Sequence, residues 1–91
     1  MGNLANKKRV FDDGVEVVMN FYTFGKEQYH LHPEMEQWCH ANIGEGSWTY
    51  ATPKTWEGMG DRIWSIDSMF GNTTFAFKEA KHLSMFLLRW A

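Results

Sequence analysis

The sequence predicts an α+β fold: a two-layer sandwich in which a mostly antiparallel sheet of four or five strands carries two helices on one face. Three observations lead there. Gly71-Asn72 separates two runs of strand-forming residues. Residues 33–43 and 79–90 repeat apolar side chains at helical spacing. A further alternating run, 15–24, lies upstream. The predicted order of elements is β–β–α–β–β–β–α.

The hairpin around residues 71 and 72 sets the core. Gly followed by Asn is a two-residue loop signal, because Gly at the first central position accepts the positive φ of a type II′ turn. That loop places Phe70 opposite Thr73, Ser68 opposite Phe75, and Ile66 opposite Phe77. Opposed residues share a face. One face then holds Trp64, Ile66, Ser68, Phe70, Thr73, Phe75 and Phe77. The other holds Ile63, Ser65, Asp67, Met69, Thr74, Ala76 and Lys78. The first is far more apolar and is expected to lie on the core.

The helix that follows, 79–90, repeats Leu83, Phe86, Leu87 and Trp90 at i, i+3, i+4, i+7 spacing, with Ala80 at the edge of that face. Glu79 suits the positive end of the helix dipole and Arg89 the negative end. Met85 and Leu88 fall on the opposite side. An amphipathic surface helix does not need that second stripe, so it is a candidate partner surface. A homodimer seam is the expected form, because dimers are the commonest assembly.

Upstream, Asp13-Gly14 is a type I′ turn signal joining a short strand, 9–12, to the longer one, 15–24. In the longer strand Val15, Val17, Met19, Phe21 and Thr23 share the more apolar face, which is expected to be its core side. Glu16, Val18, Asn20, Tyr22 and Phe24 share a mixed one. Pro33 fits a helix first turn, where its missing N–H costs nothing. Leu31, Met35, Trp38, Cys39 and Ile43 then line one face, and Gly44 is the stop. Ser47–Thr52 reads as a short strand with Trp48 and Tyr50 on one side. The loop 54–61 carries Trp56, expected as a lid over the core and otherwise as an exposed contact residue. Residues 1–8 are polar and expected to form a loose arm, leaving 9–91 as a single domain.

Composition bounds the function. With 91 residues the core has to be built from large side chains, and 5 Trp, 7 Phe and 3 Tyr supply them. A formal net charge of −2 gives no broad basic field for nucleic acid or anionic membrane. Lys7-Lys8-Arg9 is a small basic cluster, read as a solvated terminus. One cysteine excludes an intrachain disulfide and fits a reducing compartment. No signal-peptide pattern or membrane-length apolar run is present, so a cytoplasmic location is expected.

Candidate chemistry is sparse. His30, His32, Cys39 and His40 are the cluster with metal-ligand types. Its spacing fits no specific motif, and Cys39 lies on the apolar helix face, so no metal or other cofactor is assigned. His30, His32 and His40 stand as the alternative, a small metal-binding protein or metal-dependent enzyme. A Cys39–His40 nucleophile pair fails because adjacent helical residues point about 100° apart. Asp12, Asp13, Asp61 and Asp67 show no paired spacing. Phe75-Ala76-Phe77 before a helix is similar to the third strand of an RNA-recognition motif, whose alternate aromatics are exposed to stack bases. Here Lys78 occupies a position that should be buried there, and the basic-Gly lead-in is missing. Phe75 and Phe77 are therefore read as core, which disfavours single-stranded nucleic acid as a ligand.

Phe75-x-Phe77, then Phe86-x-Leu88-Arg89-Trp90, with Trp38-Cys39 upstream, resembles small uncharacterised proteins of marine tailed phages. Those often end in a strand and helix of the form F-x-F…A-x-x-F-x-L-x-W. Leu83 stands where that pattern has Ala, and the likeness covers about half of the chain. The resemblance implies a viral accessory protein and no particular activity. The sequence as a whole points to a non-enzymatic interaction module, with Met85, Leu88 and Trp56 as the expected partner surface.

Overall fold

The computed structural model describes residues 4–12, 14–52, 54–69 and 71–90, the backbone alone for 4–12, 15–18, 28, 29 and 69. Five strands form one sheet: β1 (Leu4–Asp12), β2 (Val15–Phe24), β3 (Gly46–Trp48), β4 (Trp64–Met69) and β5 (Asn72–Phe77). Two helices, α1 (His32–Asn42) and α2 (Ala80–Trp90), accompany them. The strand order is β1-β2-β5-β4-β3, antiparallel throughout except for the β3–β4 pair. This is the expected α+β sandwich, in the expected order of elements.

The core lies between the helices and one face of the sheet. Tyr22 and Phe24 from β2, Trp64 and Ile66 from β4, and Phe75 and Phe77 from β5 meet Met35 and Cys39 of α1 and Leu83 and Phe86 of α2. Phe86 is the hub. Its ring centroid lies 5.0 Å from that of Phe75, and 5.3 Å from those of Phe77 and Tyr22. Trp38 of α1 meets the same ring edge-on at 6.0 Å, which joins the two helices. Offset and tilted arrangements of this kind are what the aromatic quadrupole favours.

The hairpin register differs from expectation. Met69 pairs with Asn72, Ser68 with Thr73, Ile66 with Phe75 and Trp64 with Phe77. Gly71 is therefore the second turn residue rather than the first, and it takes the positive φ of 83° that glycine tolerates. Moving the turn by one residue changes each partner by two, so the same side chains stay on the core face. Phe70, expected on that face, lies outside the described residues, as does Asp13 of the other predicted turn.

Two further expectations are corrected. β1 starts at Leu4 and pairs with β2 as far as Thr23, so residues 4–8 belong to the ladder rather than to a loose arm. The core side of β2 is the mixed face. Tyr22 sits opposite Phe75 and Asn20 opposite Phe77, and pairing puts them on the helix side. α2 lies over β2 and β5, so the covered half of β2 is the end that carries Tyr22 and Phe24. Val15 and Val17, which weight the apolar count toward the other face, lie beyond the β5 ladder.

Both helices use the predicted faces. α1 ends as Ile43 and Gly44 both donate backbone hydrogen bonds to the Cys39 carbonyl, and Gly44 adopts a φ of 142°. The Gly44 carbonyl then accepts a 2.7 Å hydrogen bond from Trp64 Nε1. That bond ties the end of α1 to β4 and gives the buried indole its partner. β3 is shorter than predicted, ending at Trp48 rather than Thr52. Among the described residues no helix is long and apolar enough to cross a membrane.

Candidate functional site

The most organised surface of the described residues joins the first turn of α1 to the end of β3. Parallel pairing of β3 with β4 sets Trp48 beside Ile66 on the helix side of the sheet. Trp48 Nε1 donates a 3.1 Å hydrogen bond to Glu36 Oε2. The other carboxylate oxygen, Oε1, lies 3.4 Å from His32 Nε2, one helical turn earlier. That approach is a charge contact, available when His32 is protonated, and its alignment falls short of a hydrogen bond. The His32 ring packs against Trp48 at 5.2 Å between centroids and meets Phe75 edge-on at 6.3 Å, which anchors the cluster to the core.

Trp48 is thus held at its N–H and against one ring, yet 56 % of its surface is exposed. Tyr50, two residues on, is 65 % exposed. A ring oriented by one hydrogen bond and one ring contact, with a large apolar surface in water, is the arrangement of an interaction anchor. An anchor oriented in advance loses less rotamer entropy on binding, and aromatic anchors carry most of the energy at protein interfaces.

The predicted partner residues are placed as follows. Leu88 is 90 % exposed and Met85 39 %, so both face outward from α2, opposite its packed stripe. Trp56 sits in a short 3-10 turn, Thr55–Gly58, partly buried and outside the helix-side core cluster.

The candidate metal ligands are not brought together. His30 is exposed in a 3-10 turn, His32 is engaged with Glu36 and Trp48, and the His40 ring stands edge-on to Trp64 at 5.0 Å. Among the described residues no three His, Cys, Asp or Glu side chains are placed to hold a metal ion. Cys39 is fully buried, and burial, with the Glu36 charge adding to it, pushes its thiol up to about 12. A thiol held neutral in this way is a core residue rather than a nucleophile. Asp67, on the sheet face away from the helices, is raised above its ordinary value by burial.

The rings of Phe75 and Phe77 are fully enclosed, so these two offer no base-stacking surface. The basic cluster at residues 7–9 lies in β1, described by its backbone only. Sequence reasoning missed the Glu36–Trp48 pairing. The i, i+4 spacing of His32 and Glu36 was visible, but nothing local tells that β3 returns Trp48 to the same point. No protein-family model matches the chain, and no curated protein or solved structure matches it.

Proposed function

We propose that the protein is a non-enzymatic protein-interaction module whose principal anchor is Trp48. The observation that carries this reading is the combination of fixed orientation and exposure at that residue: Glu36 and His32 hold a ring that remains more than half in water. Tyr50 extends the aromatic surface, and Met85 and Leu88 on α2 give a second apolar contact. Buried aromatic anchors flanked by smaller apolar contacts are the usual energetic pattern of protein interfaces. On the phage resemblance, the setting is the cytoplasm of an infected bacterium and the partner a host or viral protein.

The test is affinity capture from a bacterial lysate with the wild-type chain and Trp48→Ala in parallel, followed by titration of each captured protein after purification. The reading expects at least one partner whose dissociation constant rises about thirtyfold or more in Trp48→Ala, the effect of losing an interface hot spot. Captured partners that bind Trp48→Ala as tightly as wild type would contradict it.

A further inference from the structure

We propose that the Trp48 anchor takes a basic protein segment, with an arginine or lysine of the partner seated on the indole face beside the Glu36 carboxylate. The proposal rests on the reading of Trp48 as an anchor and adds the chemistry of what it holds. Two observations carry it: the carboxylate at the rim of the ring, and the charge of the segment that builds the site.

Glu36 Oε2 lies 3.1 Å from Trp48 Nε1, so a carboxylate is held at the edge of a ring whose surface is 56 % exposed. An indole face attracts cations through its quadrupole, out to about 6 Å from the ring centroid. A cation on the open part of this ring therefore meets the quadrupole and the carboxylate together. Among the described residues that carboxylate has two partners, the indole N–H and His32, and neither is a permanent cation. Glu36 is only partly buried, so a ligand on Trp48 can reach it. A purely apolar partner would cover the carboxylate without supplying a counter-charge, which is costly. A basic side chain supplies one.

The segment around the site has one sign of charge. Residues 27–53, which supply α1 and β3, contain Glu27, Glu34, Glu36 and Glu45, and all 9 lysines and arginines of the chain lie outside them. Glu34, two residues before Glu36, and Glu45, three before Trp48, are both exposed. Lys26, just upstream, lies against Gly71 at the hairpin turn instead. A surface of this kind draws a positive partner and repels nucleic acid and anionic lipid. It also opposes a two-fold contact of this face with itself, since like charges would meet. Tyr50, 65 % exposed, adds a second aromatic surface for the same segment.

The test is an NMR titration of the full chain with three short peptides, alternating glycine with arginine, glutamine or glutamate, followed at the indole ¹⁵N–H signals. The arginine peptide should shift the Trp48 signal, with a dissociation constant at least about fivefold below that of the glutamine peptide, and added salt should weaken it. The glutamate peptide should leave the signal in place. Glu36→Gln keeps an oxygen that accepts from the indole N–H and removes the charge, and should weaken the arginine peptide about fivefold. Trp48→Ala should weaken it by at least as much. The proposal is overturned by an arginine peptide that binds no better than the glutamine one, or by binding indifferent to Glu36→Gln or to Trp48→Ala. A natural partner that loses affinity in Trp48→Ala but not in Glu36→Gln would overturn it too, while leaving the anchor reading intact. A partner that ignores Trp48→Ala would remove the anchor reading itself.

Discussion

Gly46→Ala is the most informative single substitution in the scaffold behind Trp48. A Cβ at position 46 would lie 2.6 Å from Trp64 Cζ2 and nearer still to Cε2 and Cδ2, so the ring or the strand has to move. Trp64 is fully buried and its Nε1 is committed to the Gly44 carbonyl at 2.7 Å. Forcing an atom into such packing costs about 1–3 kcal/mol. Losing the indole hydrogen bond adds about 0.5–1.5 kcal/mol. The smaller entropy of an unfolded alanine returns about 0.4–1 kcal/mol, leaving a net loss of about 2.5 kcal/mol. For a domain of this size that lowers the melting temperature by about 10–20 °C. Urea and thermal unfolding measure it, with Gly58→Ala as control, since a Cβ at position 58 meets nothing within 4 Å. A Gly46→Ala protein within 0.5 kcal/mol of wild type would refute the reasoning about how β3 sits on Trp64.

Other perturbations follow from the same geometry. Phe86→Ala removes the ring that touches Tyr22, Phe75, Phe77 and Trp38, and should cost about 3–5 kcal/mol in chemical denaturation, enough to unfold much of the population. Leu88→Glu should change stability by less than about 0.5 kcal/mol, because the side chain is almost wholly in water; a larger loss in the same assay would mean α2 packs differently. The Cys39 thiol, raised from 9.0 to about 12 by burial, stays neutral in the folded chain where the unfolded chain already ionises. Its contribution to stability is full below pH 9.0 and lost as pH rises toward about 12. Thiol labelling at pH 8 should therefore proceed only as fast as the protein unfolds, and immediate stoichiometric labelling in native buffer would contradict the burial.

Much of the fold is legible in the sequence because it is written in local periodicity. The spacing of Met35, Trp38 and Cys39, and of Leu83 and Phe86, names the packed helix faces directly. The hairpin face survives a misplaced turn, since shifting the loop by one residue preserves which side chains point inward. The face of β2 is a different matter. Counting apolar residues along ten positions favours Val15, Val17 and Met19, but the helices cover only the half that pairs with β5. Which half is covered is a long-range fact. The same holds for the site: Glu36 and Trp48 meet across the α1–β3 connection, and neither residue type nor spacing announces the contact. Exposure on α2 is local again, so Met85 and Leu88 could be read from the helical wheel.

Side-chain relaxation of the Trp48 indole ¹⁵N–H by NMR tests most directly whether an exposed aromatic is held ready for a partner. With Glu36 and His32 in place, its order parameter should match rigid backbone, about 0.85, and fall below about 0.6 in Glu36→Ala. A wild-type indole already below about 0.6, or one indifferent to Glu36→Ala, would show a freely moving surface side chain and remove the anchor on which the proposed function rests.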